Sequence, residues 1–249
     1  VARDDQRIYV VNFISDSLSV LNEAGVVSAN IPVGVRPTFV EAMDGCAYVA
    51  NYAWVGRGTG GGITRYCPQT GVTQQILPHI PGFFGITQDP IHHHIFAANR
   101  GFFHGDPNVG IYMIDGHTLQ ATKIITTSEQ PYAIAYSLHS NRLYVIIPAL
   151  NEVWVYDSDG GNFSARPDYR LPTDVRNVGC QLTDEWEVNG GEGIAIRDDT
   201  IYVSNYCAAS ITVIRDSYTV PVSDTMQSSS FSPRDVTPLH YLVYLPLVI

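Results

Sequence analysis

Few residues in this chain have the type and spacing to do chemistry. Two acids, Glu129 and Glu192, and four asparagines, Asn12, Asn51, Asn99 and Asn205, offer hard oxygen ligands to a divalent cation such as Ca²⁺ if a fold gathers them. The run His92-His93-His94 carries metal-ligating side chains. Adjacent residues on an extended segment point to opposite faces, so three in a row cannot all bind one ion, and a solvated turn is expected. Cys46, Cys67, Cys180 and Cys207 show no C-x-x-C spacing. Scattered and even in number, they fit two disulfides and an oxidising compartment. No G-x-S-x-G, P-loop or H-E-x-x-H run is present. The glycines from Gly58 to Gly62 join two expected strands and open no helix, which leaves phosphate binding unsupported.

Composition narrows the partners. The 249 residues carry a formal net charge of -10 and 15% charged side chains, with Lys123 the one lysine. A nucleic-acid or anionic-membrane binder needs a basic face, so both are excluded as expected partners. No apolar run reaches about 18 residues, so no bilayer span is expected. The apolar share of 45% suits a packed core, and a disordered chain, a coiled coil and a helical bundle are excluded.

The elements that must position these residues come from a repeat. Ile8-Tyr9-Val10-Val11-Asn12 returns as Ala47-Tyr48-Val49-Ala50-Asn51, Ile95-Phe96-Ala97-Ala98-Asn99 and Ile201-Tyr202-Val203-Ser204-Asn205, with a degenerate copy at Leu143-Tyr144-Val145-Ile146-Ile147. The spacings of 39, 48, 48 and 58 residues fit propeller blades of four short antiparallel strands. Strand a follows a Pro or Gly, strand b is the Tyr-Val-x-Asn segment, strand c is exemplified by Ile111-Tyr112-Met113-Ile114-Asp115, and strand d by Val26 to Val33. All are period-2 or fully apolar runs bounded by turn residues.

The run from Ile8 to Asn12, with Ser17-Leu18-Ser19-Val20-Leu21 and Ile31-Pro32-Val33-Gly34-Val35-Arg36-Pro37, resembles a YVTN-type (NHL/lactonase-like) β-propeller repeat. The resemblance covers roughly residues 1–222 and implies an all-β propeller and a bacterial secreted or surface protein. Relatives of the repeat include surface-layer proteins, propeller lactonases and cofactor-bearing dehydrogenase subunits, so function must be argued from the site. Five blades are visible, the first lacking most of its innermost strand. The chain is then either the C-terminal part of a six- to eight-blade ring or a five-blade ring whose missing strand comes from the tail. The expected organisation is blades over 1–222, a Ser/Pro linker over 223–237, and an apolar strand or sorting and assembly tail over 238–249.

Strand direction alternates, so the b–c loops and d–a connections share one face, here called the top. The longest loops fall there and carry Tyr52, Trp54, Arg57, Arg100, Phe102, Phe103, His104, Asp106, Arg176 and Trp186. Exposed aromatics with a few charges suggest a contact surface for a protein, peptide, glycan or small ligand. The favoured function is a non-catalytic binding scaffold in an extracellular, cell-surface or periplasmic setting, with no required cofactor and self-assembly through the tail. The competing function is a hydrolase or lyase acting on a lactone or sugar. Propeller hydrolases of the gluconolactonase type gather Asn, Asp and Glu around an axial metal, and Glu129 and Glu192 are the candidate axial acids here. Cys46 is expected opposite Cys67 on the blade-two hairpin, and Cys180 beside Cys207 in blade five.

Overall fold

The computed structural model describes residues 1–53, 60–102, 105–159, 162–173, 191–205, 208–216 and 243–246, with backbone alone for Asp159, Gly191, Glu192 and 243–246. Among the described residues, five antiparallel sheets follow one another along the chain. Blade one holds β1 (Ala2–Arg3), β2 (Arg7–Asn12), β3 (Ser17–Asn22) and β4 (Val27–Pro32). Blade two holds β5 (Pro37–Met43), β6 (Cys46–Asn51), β7 (Gly62–Cys67) and β8 (Val72–Ile76). Blade three holds β9 (Phe83–Asp89), β10 (His94–Asn99), β11 (Gly110–Asp115) and β12 (Ala121–Ile125). Blade four holds β13 (Ile134–Ser137), β14 (Arg142–Ile147), β15 (Glu152–Asp159), β16 (Asn162–Phe163) and β17 (Tyr169–Pro172). Its outer edge is split, because β16 and β17 pair with different stretches of β15. Blade five holds β18 (Gly191–Arg197), β19 (Thr200–Asn205), β20 (Ser210–Arg215) and β21 (Val243–Pro246).

The repeat therefore folds as read: an all-β propeller with each Tyr-Val-x-Asn segment as the second strand of its sheet. The one helical piece among the described residues is a single 3-10 turn, Pro148–Leu150, where the degenerate copy has Ile147 in place of Asn. No helix among the described residues is long and apolar enough to cross a membrane. Ser210 to Val213 of β20 pair with Pro246 to Val243, so a piece of the tail forms the outermost strand of blade five.

Among the described residues, four apolar cores lie between successive blades. Tyr9, Leu18 and Val20 of blade one meet Val40 and Val49 of blade two. Tyr48 and Ile63 of blade two meet Ile86, Ile95 and Ile114 of blade three. Phe96 and Ile111 then meet Leu143, Val145 and Trp154, and Tyr144, Ile146 and Val153 meet Ile201, Val203 and Ile214. Period-2 strands put alternate residues into the cores on either side, which is why β6 and β14 are buried at every position. In β19 only alternate residues are buried. Tyr202 is 39% exposed, whereas its counterparts Tyr9, Tyr48, Phe96 and Tyr144 are at most 1% exposed.

Cys46 and Cys67 stand at the ends of the β6–β7 hairpin, next to the Ala47–Tyr66 pair. Their Cα atoms are 4.2 Å apart and the sulfurs are joined. The pairing expected for Cys180 and Cys207 lies outside the described residues.

Candidate functional site: an aromatic cluster around Arg100

Each repeat Asn closes the top end of its blade by hydrogen bonding. Asn12 and Asn205 donate to strand-c hydroxyls, those of Ser17 and Ser19 and those of Ser210 and Thr212 respectively. The Asn51 amide nitrogen donates to the Val49 and Gly62 carbonyls and the Thr64 hydroxyl. Asn99 does more. Its amide nitrogen donates to the Pro81 carbonyl at 2.8 Å, and its carbonyl accepts the Gly101 N–H at 2.8 Å. The Arg100 N–H donates to the Gly82 carbonyl at 2.9 Å. These bonds fasten the end of β10 to the connection entering β9 and fix the backbone of Arg100 between them. Gly82 has φ +95, and a Cβ there would meet the Asn99 carbonyl oxygen at 2.7 Å, so the clamp needs glycine.

Residues that directly follow the repeat Asn take equivalent positions in successive blades: Phe13, Tyr52 and Arg100. Tyr52 and Arg100 turn inward and are only 5% and 7% exposed, a correction to the expectation of an exposed loop surface. They are covered by aromatics from the innermost strands and the connections leading into them, which sequence reasoning passed over. Phe39, Phe84 and Tyr132, from blades two, three and four, form a file with ring centroids 5.5 Å and 4.0 Å apart. Tyr52 meets Phe84 edge-on at 6.1 Å and Phe102 at 5.0 Å. Phe39, Phe84, Phe102 and Tyr132 are half-buried, so the cluster keeps an accessible side. The available signal was an aromatic just after the Pro or Gly that opens strand a, as in Pro37-Thr38-Phe39, Gly82-Phe83-Phe84 and Pro131-Tyr132.

The Arg100 guanidinium carbon lies 4.8 Å from the Tyr132 ring centroid, and 5.6 Å from those of Phe84 and Tyr52. Its Nε is sealed from solvent without a hydrogen-bond partner, and no described carboxylate pairs with the group. A cation–π contact contributes about 0.5–2 kcal/mol. Removing a cation from water costs several kcal/mol, a penalty that the three ring contacts work against. The Tyr52 hydroxyl is likewise buried with no partner. Burial pushes its pKa up, while the nearby charges of Arg100 and Arg36 pull it down. The cluster thus presents a cation and a hydroxyl donor, both short of an acceptor, beside flat aromatic faces.

The other expected site residues lie elsewhere or outside the description. Trp54, Arg57, Phe103, His104, Arg176 and Trp186 fall outside the described residues, and Glu192 is described by its backbone alone. Asp106 is 7% exposed, and its carboxylate accepts N–H groups of Phe102 and Asn108 and the Asn108 amide, so it braces its own loop. Glu129 is half-buried on the wall of a cleft of about 270 Å³ that Asp106, Pro107 and Val109 also line. Among the described residues no three His, Cys, Asp or Glu side chains form a group able to hold a metal ion. In the His tract, His92 binds Asp89 at 2.6 Å and His93 binds Asp44 at 2.8 Å, away from the top face.

No family model and no curated protein matches the chain. Solved structures do. Hydrazine synthase of Kuenenia stuttgartiensis superposes with a TM-score of 0.64 at 18% identity, over 86% of this chain and 63% of its own. Virginiamycin B lyase from Staphylococcus aureus gives 0.60 at 16% identity, over 89% and 69%. A protein assigned as a 6-phosphogluconolactonase from Bacteroides uniformis gives 0.65 at 18% identity, over 99% and 70%. The chain spans less than two thirds of the hydrazine synthase chain. At these identities the likeness shows the propeller fold alone.

Proposed function

We propose that this propeller is a secreted or cell-surface binding module whose ligand seats on the top face, at the aromatic cluster around Arg100. The observation that carries this reading is Arg100, a residue only 7% exposed whose guanidinium lies among three rings with its Nε buried and no acceptor among the described residues. A fold tolerates such a group where function requires it, because stability alone would select an apolar side chain. The Cys46–Cys67 disulfide supports an oxidising compartment. Glycan and peptide arrays, probed with the wild type, Phe84→Ala, Phe102→Ala and a bottom-face control, His117→Ala, test the site. Loss of binding in the two top-face variants and retention in the control is expected. Equal retention in all three variants refutes the reading.

The names of two similar structures, a lyase and a protein assigned as a lactonase, favour a second reading. In it, the same cluster turns over a lactone or sugar. Incubating the protein with a panel of lactones and unsaturated uronides, and following products by mass spectrometry, separates the readings. Turnover abolished by Arg100→Met and kept by His117→Ala supports the enzyme.

A further inference from the structure

We infer that the Arg100 cluster is built for a small organic carboxylate carried on a ring, the carboxylate meeting the guanidinium and the ring lying against the aromatics. This rests on the top-face reading above and specifies the chemistry of its ligand.

The protein contains its own standard of comparison. Arg142 is also deeply buried, with 3% of its side chain exposed, and its charge is matched by carboxylates: Asp157 at 2.5 Å and Asp216 at 2.7 Å. Arg100 is buried to a similar degree and lacks an equivalent among the described residues. A carboxylate supplied by a ligand would complete it as Asp216 completes Arg142, by charge-assisted hydrogen bonds. The Tyr52 hydroxyl, buried and without an acceptor, is a second donor in the same cluster. One carboxylate has acceptor sites enough for both. The half-buried rings of Phe84, Phe102 and Tyr132 suit a flat or ring-shaped body. The net charge of -10 on the chain suits a monoanion better than a phosphate dianion.

The test uses the 249-residue protein with D-glucuronate and benzoate as carboxylate probes. D-glucose and benzyl alcohol serve as neutral counterparts, and inorganic phosphate as the other anion. Calorimetric titration and thermal shift are read on the wild type, Arg100→Met and Phe84→Ala. The expected result is binding of a carboxylate at least tenfold tighter than its neutral counterpart and tighter than phosphate, with that margin lost in Arg100→Met. Arg100→Met should itself melt at the same or a higher temperature, since a buried charge has been removed; a purely structural cation would predict a lower one. Equal binding of acid and neutral probes, both lost in Phe84→Ala, overturns the carboxylate inference and leaves the top-face reading standing. Phosphate binding as tight as carboxylate overturns it too. No binding of either carboxylate at millimolar concentration overturns it whatever the melting behaviour, and the array mapping then decides the broader reading by itself.

Discussion

Arg142 Nη1 lies 2.7 Å from Asp216 Oδ1, and the pair, 74 positions apart in the chain, ties blade four to the end of β20 in blade five. Both side chains are 3% exposed. The Tyr144 hydroxyl donates to the same Asp216 carboxylate, and Asp157 holds Arg142 Nε. Removing one partner of a buried ion pair costs about 3–5 kcal/mol, because the other charge is left uncompensated. Asp157 remains in place, so Asp216→Ala should destabilise by about 3 kcal/mol, read from urea unfolding. A change below about 1 kcal/mol would show that the pair does not hold the two blades together.

The Cys46–Cys67 bond closes a separation of 21 residues at the end of the β6–β7 hairpin. Such a link stabilises by about 2–4 kcal/mol, mainly by restricting the unfolded chain. The double variant Cys46→Ser/Cys67→Ser should lower the denaturant midpoint accordingly, and adding reductant to the wild type should move it in the same direction. A midpoint indifferent to both would contradict the bond.

Glu41 gives stability a pH dependence of known sign. Burial pushes its carboxyl pKa up, and hydrogen bonds from the Ala42 N–H and the Gln88 amide offset this only in part. An acid whose pKa is raised by folding holds its proton more tightly in the native state. Its contribution is therefore favourable below the ordinary carboxylate value of about 4.3 and is lost as pH rises through the raised value. Glu41→Gln should melt higher than the wild type at pH 7, and the gain should shrink at about pH 4. An equal effect at both pH values would exclude titration of this group as its source.

Asp4 has the opposite sign. Burial acts to raise its pKa, but hydrogen bonds from the Tyr9 hydroxyl and the Gln6 and Arg7 N–H groups, with the Arg7 charge, hold it below the usual range. Its stabilisation is present above the ordinary value and fades as pH falls through the lowered one. Asp4→Asn should be less stable than the wild type at pH 7 and converge with it in acid. Parallel melting curves down to about pH 2 would remove Asp4 from the account.

The tail strand also makes a measurable claim. Val243 to Pro246 pair with β20, so deleting 238–249 uncovers the ladder edge of blade five. An uncovered edge exposes unpaired N–H and C=O groups and invites aggregation. The truncated protein should melt lower and bind more of a hydrophobic dye. Unchanged melting and dye binding would mean that the strand adds nothing to the blade.

Strand periodicity and turn residues made the blades legible in sequence. Ile8-Tyr9-Val10-Val11-Asn12 and its copies announce the second strand of each sheet, since pairing within a blade is local in the chain. The same locality aligned Cys46 with Cys67. Nothing local distinguishes Tyr202 from Tyr144, yet one is 39% and the other 1% exposed, because burial depends on which blade packs against that face. Arg100 is the strongest case. Its sequence context reads as an exposed loop, and it is buried because Phe84 and Tyr132, widely spaced along the chain, meet around it. Periodicity reports which side of a strand faces a neighbouring sheet. It carries no information on which side chains of successive blades converge at their inner ends, and that convergence gives Arg100 its aromatic walls.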